Sequence, residues 1–124
     1  MDDFRTELAQ RTRAFALAIL SLCKNLHNGY ELEHIGHQLL RCATSAAANF
    51  RAACHAKSSA DFYAKLKICE EKAILAKFWL DFIVDGNLFP AEHIHDLRAE
   101  AEHIARIFAS SCRTLAEKKM EDWP

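Results

Sequence analysis

Apolar residues in this chain recur at steps of three and four through four long runs, and no proline interrupts any of them. A stripe with that period is one face of an α-helix. The third run is the most regular: Phe62, Leu66, Cys69, Ala73, Ala76, Leu80 and Ile83 alternate steps of four and three, the pattern of helix-bundle packing. The first run places Phe4, Leu8, Phe15, Ile19, Leu22 and Leu26 on one face, and the second Ile35, Leu39, Ala43, Ala46, Phe50 and Ala53. The fourth carries Ile94, Leu97, Ala101, Ile104, Phe108, Ser111 or Cys112, and Leu115. The spacing predicts helices over about 3–27, 31–56, 59–85 and 90–117. Three glycines and two prolines in 124 residues are too few for a strand-rich fold, which needs turn residues every ten positions or so.

The punctuation suits those spans. Asp2 or Asp3 is placed to cap the first helix, and Gly29 to supply the left-handed residue that ends it. Ser58 and Asp61 resemble a capping box before the third helix. Gly86 is expected to end that helix, and Pro90 suits the first position of the next. Helices of about 25 residues would each run roughly 37 Å. Short connections make sequential helices antiparallel, so the expected fold is all-α, an up-down-up-down four-helix bundle with one domain over 1–124. The small-residue run Ala43-Thr44-Ser45-Ala46-Ala47-Ala48-Asn49 should let a neighbouring backbone approach closely.

A second apolar stripe exceeds what a four-helix core requires. Leu17 and Leu20 lie off the main face of the first helix, and Ile74, Phe78 and Phe82, with Trp79 beside them, off that of the third. Two readings stay open: a wide core stripe, or a subunit interface, for which the aromatic third helix is the favoured place. The start Met-Asp-Asp-Phe holds no apolar run, so no signal peptide is expected, and Lys77 and Asp81 interrupt the most apolar stretch. A cytoplasmic protein with no membrane partner is the expectation. Five scattered cysteines without a C-x-x-C pair then read as reduced, buried small hydrophobes.

Chemistry-bearing clusters are thin. His34 and His37 are one helical turn apart, but a metal needs further ligands converging from elsewhere, Glu31 or Glu33 being the nearest choices. Glu31-x-x-His34 and Glu92-x-x-His95 have di-metal bundle spacing but sit near helix ends, and inward mid-helix carboxylates are missing. Cys54 and His55 are adjacent, project about 100° apart on a helix, and cannot form a dyad. No glycine-rich phosphate loop exists. No enzymatic activity and no cofactor are expected; a metal-binding bundle enzyme using His and Glu residues is the alternative.

A set of residues across the second and third helices resembles a known family. The set is His37-Gln38-Leu39-Leu40-Arg41, Thr44-Ser45, Ala48-Asn49-Phe50-Arg51-Ala52, Lys57-Ser58, Asp61-Phe62, Lys65-Leu66-Lys67-Ile68 and Phe78-Trp79-Leu80. It is similar to the bacterial four-helix-bundle proteins, also called the 23S rRNA intervening-sequence protein family, over about Phe15 to Leu115. That resemblance implies small bundles assembled as rings, usually pentamers, with no enzymatic activity or cofactor. Some members are encoded within intervening sequences of rRNA genes. Others are accessory subunits of diversity-generating retroelements, binding a reverse transcriptase and its RNA.

The nucleic-acid-binding relatives are strongly basic, and this chain departs from them with a formal charge of −1. Its charge is uneven, however. Between His34 and Cys69 stand five basic residues (Arg41, Arg51, Lys57, Lys65 and Lys67) against one acid, Asp61. Repeated around a ring, such a patch would attract phosphate despite the near-neutral total. The expected partners are therefore other copies of the chain and an RNA or nucleoprotein, with a protein-only scaffold as the remaining alternative. Arg41, Asn49 and Ser45 also admit a purely internal role, because a mid-helix amide among alanines suits a buried, hydrogen-bonded group.

Overall fold

Residues with an apolar stripe every three to four positions form four helices, as the period dictates: α1 (Asp2–Cys23), α2 (Tyr30–Ala53), α3 (Ser59–Asp85) and α4 (His95–Glu121). The computed structural model describes residues 2–121, and no strand occurs among them. The sequence alone suggests a charged, fraying tail from Glu117 in which Trp123 could dock elsewhere; the helix runs on to Glu121, and Trp123 lies outside the described residues. A three-residue 3-10 turn, Ala91–His93, precedes α4. Each helix packs on its sequence neighbour, and α1 meets α4 along a much shorter seam, which closes an up-down-up-down four-helix bundle.

The core is the expected stripe, with Phe62, Leu97 and Leu115 half-buried at its margin and Phe4 outside it. Leu8, Phe15, Ile19, Leu22, Leu39, Phe50, Leu66, Leu80, Ile83, Ile94, Ile104 and Phe108 are buried, whereas Phe4 is 53% exposed in the first turn of α1. Phe50 and Phe108 meet across the centre with ring centroids 5.7 Å apart, tilted by 56°. The alanines of α2 do admit a close neighbour: Cys69 Sγ on α3 reaches the Ala46 carbonyl at 3.5 Å. Asn49 donates to the Ser45 carbonyl at 2.9 Å and to Ser45 Oγ at 3.1 Å, the internal pairing that its half-buried position requires. Thr12 is the buried polar residue of α1, and its hydroxyl donates to the Leu8 carbonyl. No buried side-chain nitrogen or oxygen lacks a partner among the described residues.

Three helix ends differ from the sequence reading. Helix α1 stops at Cys23, so Leu26 is buried from the connection and not from the helix. Gly29, at φ +107°, stands immediately before α2 and sets that helix's entry in place of the exit of α1. After α3, the left-handed residue is Asn87 (φ +54°), with Gly86 one position earlier in an ordinary conformation. The Leu88 amide bonds to the Ile83 carbonyl and the Asn87 amide to Val84, the Schellman pattern in which Asn substitutes for the usual glycine. Pro90 opens the 3-10 turn and α4 begins only at His95. At α3 the cap is as expected: Ser58 Oγ accepts from the Asp61 amide, while the Asp61 carboxylate reaches one residue further back, to the Lys57 amide.

The short α1–α4 seam is tied by charge. Arg11 makes a two-pronged bridge to Glu100, both contacts at 2.7 Å, and its second nitrogen lies 3.0 Å from His103 Nδ1. The Arg11 hydrogen bond holds the Glu100 carboxyl below its ordinary value of 4.5. A depressed carboxyl stabilises the fold above its unfolded value, and that stabilisation disappears as pH falls through the folded one. Replacing Glu100 by Gln should therefore cost about 0.5–1 kcal/mol at neutral pH, the scale of a half-exposed pair. The gap from wild type should narrow below pH 4.5 in denaturant titrations; a constant gap would mean that packing, and not charge, is what Glu100 contributes.

Candidate functional site

Helices α1 and α2 pack through one edge each, which leaves a furrow along their outer side. That groove has a volume of about 810 Å³. Its floor is apolar, formed by Ala16, Leu17, Leu20, Leu40, Ala47 and Ala48. Its rim carries Arg5, Arg13, Arg51 and His55, and no carboxylate lines it. Leu17 and Leu20 are 47% and 39% exposed. Arg5 is held at one end by stacking its guanidinium 4.6 Å over the Phe62 ring. Neither Arg13 nor Arg51 has an ion-pair partner among the described residues.

The second surface is a ridge on α3. Ile74, Phe78 and Phe82 follow at steps of four, so they stand one above another, 52%, 50% and 47% exposed. Trp79 is half-buried beside them and packs edge-on to Phe78 at 5.1 Å and to Phe82 at 6.1 Å. The aromatic rings thus stiffen one another while remaining open to water. The ridge is bracketed by two exposed acids, Glu71 and Asp85. Asp81, nearer the core, is engaged by Lys77 at 2.7 Å and Arg98 at 2.8 Å. Burial pushes its carboxyl up, but those two hydrogen bonds outweigh it and hold the group below the ordinary carboxylate range.

The five basic residues of the sequence patch do not converge. Arg51 joins the α1–α2 groove, whereas Arg41 stands on α2 ten residues, roughly 15 Å, away and outside that groove. Lys65 is paired to Asp61 and Lys67 to Glu70. The Lys65 hydrogen bond keeps the Asp61 carboxyl below its usual value. Lys57 and Arg41 are exposed and make no ion pair among the described residues. The basic cluster that the fold assembles is a different one, with Arg5 and Arg13 contributed by α1 and Arg51 by α2.

The histidine and cysteine candidates stay apart as well. His34 and His37 are exposed on the first turns of α2, His34 stacked on Tyr30. No group of three or more His, Cys, Asp or Glu side chains able to hold a metal occurs among the described residues. All five cysteines are free thiols; burial pushes Cys69 up to about 12 and Cys23 up to about 11, which favours the thiol over the nucleophilic thiolate. Among the described residues no helix is long and apolar enough to cross a membrane.

Known proteins agree with this architecture. No protein of curated function matches the chain. A crystal structure of a protein of unknown function from Bacteroides thetaiotaomicron, assigned to the S23 ribosomal protein family, is 28% identical. It aligns with a TM-score of 0.80 over 88% of this chain and 97% of that one. The sequence model of the 23S rRNA-intervening sequence proteins matches residues 5–110, which span all of α2 and α3 with most of α1 and α4. A four-helix bundle with these helices, matched over that length, belongs to the 23S rRNA-intervening sequence protein family.

Proposed function

We propose that this protein is a non-enzymatic interaction module of the cytoplasm, which assembles with copies of itself into a ring and engages RNA or a nucleoprotein partner. The observation that carries the reading is the open ridge Ile74-Phe78-Phe82. Three large apolar side chains aligned on one helix cost free energy in water, and a bundle core did not need them. Burial against another protein surface recovers that energy. Five copies is the number that the family resemblance implies.

The RNA partner rests on the family's association with rRNA intervening sequences and on basic side chains left without a carboxylate, Arg41 and Lys57 among them. A ring would repeat each of those charges around one rim, so a weak single contact becomes a multivalent one. Light scattering with and without a structured RNA is the test. The expected result is a multiple of the 14.1 kDa chain mass that rises further with RNA. Reversing Arg41 and Lys57 to Glu together should weaken RNA binding at least about tenfold and flatten its dependence on salt, because two phosphate contacts are lost per copy. The mass without RNA should not move. Equal RNA affinity in the double variant would leave a protein scaffold, and a monomeric wild type would remove the assembly itself.

A further inference from the structure

We infer that the α3 ridge of one copy docks in the α1–α2 groove of the next, a head-to-tail junction in which every copy is ridge on one side and groove on the other. This rests on the assembly reading above and specifies its contact. Shape supports it first. The groove is lined from Arg5 to Leu20 on α1 and from Leu40 to His55 beside α2, about 22 Å at 1.5 Å per residue. From Glu71 to Asp85 the ridge and its flanking acids span about 21 Å of α3. The partners are thus one helix and a furrow of equal length, and ridges packing into grooves is how helices meet.

Charge points the same way. The groove offers Arg5, Arg13, Arg51 and His55 with no acid among its lining residues. The ridge ends in Glu71, whose nearest cation is Lys72 at 4.0 Å, and in Asp85, which makes no ion pair among the described residues. The groove lacks acids and the ridge ends in two of them, its own cations Lys72 and Lys77 standing beside Glu71 and Asp81, around apolar centres formed by Leu17 and Leu20 on one side and Ile74, Phe78 and Phe82 on the other. Like-with-like contacts would place Arg13 and Arg51 against their own kind, or acids against acids, at a cost of repulsion.

The two surfaces share no residue: the groove uses α1, α2 and the two residues after α2, and the ridge uses α3 alone. One copy can therefore engage two neighbours at once. A contact between different patches is heterologous, and it propagates until the rotation closes a ring. An aromatic anchor seated in a groove with an Arg rim also has the composition that concentrates binding energy at interfaces.

Complementation of two broken surfaces tests the junction. A groove variant, Leu17→Asp with Leu20→Asp, keeps an intact ridge, and a ridge variant, Phe78→Glu, keeps an intact groove. All three positions are exposed, so both variants should fold, which circular dichroism checks; Phe82→Glu serves as a second ridge variant. Each variant alone should run as a monomer by light scattering, and an equimolar mixture should form a species of two chains through the one junction left intact. A mixture that stays at single-chain mass while wild type assembles would overturn the ridge-in-groove contact and leave the assembly standing. Dimers of either variant alone would do the same, because they require like surfaces to meet. A groove variant of full assembled mass that has lost RNA binding would make the groove a nucleic-acid surface and overturn the junction. A wild type that is itself monomeric would remove the assembly and this contact together.

Discussion

Phe108→Ala should destabilise the bundle by about 3–5 kcal/mol, the range for removing a fully buried aromatic ring. Phe108 is wholly inaccessible and faces Phe50, which is 1% exposed, at a centroid distance of 5.7 Å. The lost ring leaves a void between α2 and α4 that flanking side chains fill only in part, since Ile104, Cys112 and Ala101 are held in the same stripe. Part of the cost is the tilted aromatic pair itself, about 0.5–1.5 kcal/mol beyond area. For a chain of this length each kcal/mol lowers the melting temperature by roughly 3–5 °C, so a fall on the order of 10–20 °C is expected. Thermal melts by circular dichroism would show it. A loss under about 1 kcal/mol would contradict a core centred on these two rings.

A second substitution should separate stability from assembly. Phe78→Glu replaces a half-exposed ring on the outer face of α3, whose aromatic neighbours are Trp79 and Phe82, and surface changes of that kind alter monomer stability by about 0.5 kcal/mol or less. Its effect on assembly should be large. An interface aromatic at the centre of its patch carries about 2 kcal/mol or more, equivalent to roughly 30-fold in each junction. The introduced carboxylate adds a desolvation cost in an apolar furrow. The expected outcome is a light-scattering mass near 14.1 kDa with the melting temperature of the dissociated wild type. An assembled mass unchanged from wild type would place the interface elsewhere, and an unfolded product would mean that Phe78 belongs to the core after all. Phe108 and Phe78 thus form a pair of opposite expectations: one breaks the fold, the other leaves it and breaks the partnership.

The helical period was legible because each core residue is decided by its neighbours three and four positions away. Leu66, Cys69, Ala73, Ala76, Leu80 and Ile83 are all buried, as their spacing requires. The ends of the helices were less legible. Gly29 and Gly86 each stood within one or two residues of a boundary, but which residue carries the positive φ depends on how the following segment folds back. At the end of α3 that is decided by Leu88 covering the last turn, so the left-handed position falls on Asn87. The stripe that surplus apolar residues form was visible too, and it divides into two surfaces only once the helices are set side by side.

The basic cluster shows the same division between near and far. Counting charges along the chain gathers Arg41, Arg51, Lys57, Lys65 and Lys67 into one patch, yet Lys65 and Lys67 are engaged by acids within four residues. The residues that do share a rim with Arg51 are Arg5 and Arg13, roughly forty positions earlier. A signal for them existed: Thr6, Gln10, Arg13, Leu17 and Leu20 step by four and three, a second face of α1 that ends in the two leucines of the groove. What that face lies beside cannot be read from its own period.

By itself, then, the sequence determined the four helices, their antiparallel order and the identity of the core, because helix period, turn residues and short connections all act over a few residues. It also showed that Leu17, Leu20, Ile74, Phe78 and Phe82 form a second apolar stripe, without deciding between a wide core and a subunit interface. Only the tertiary structure decided which of these side chains form a groove and which a ridge, and which arginines stand around them. Those groupings join α1 to α2 across the bundle, and proximity between distant segments is created by packing, not by the local chemistry of either segment.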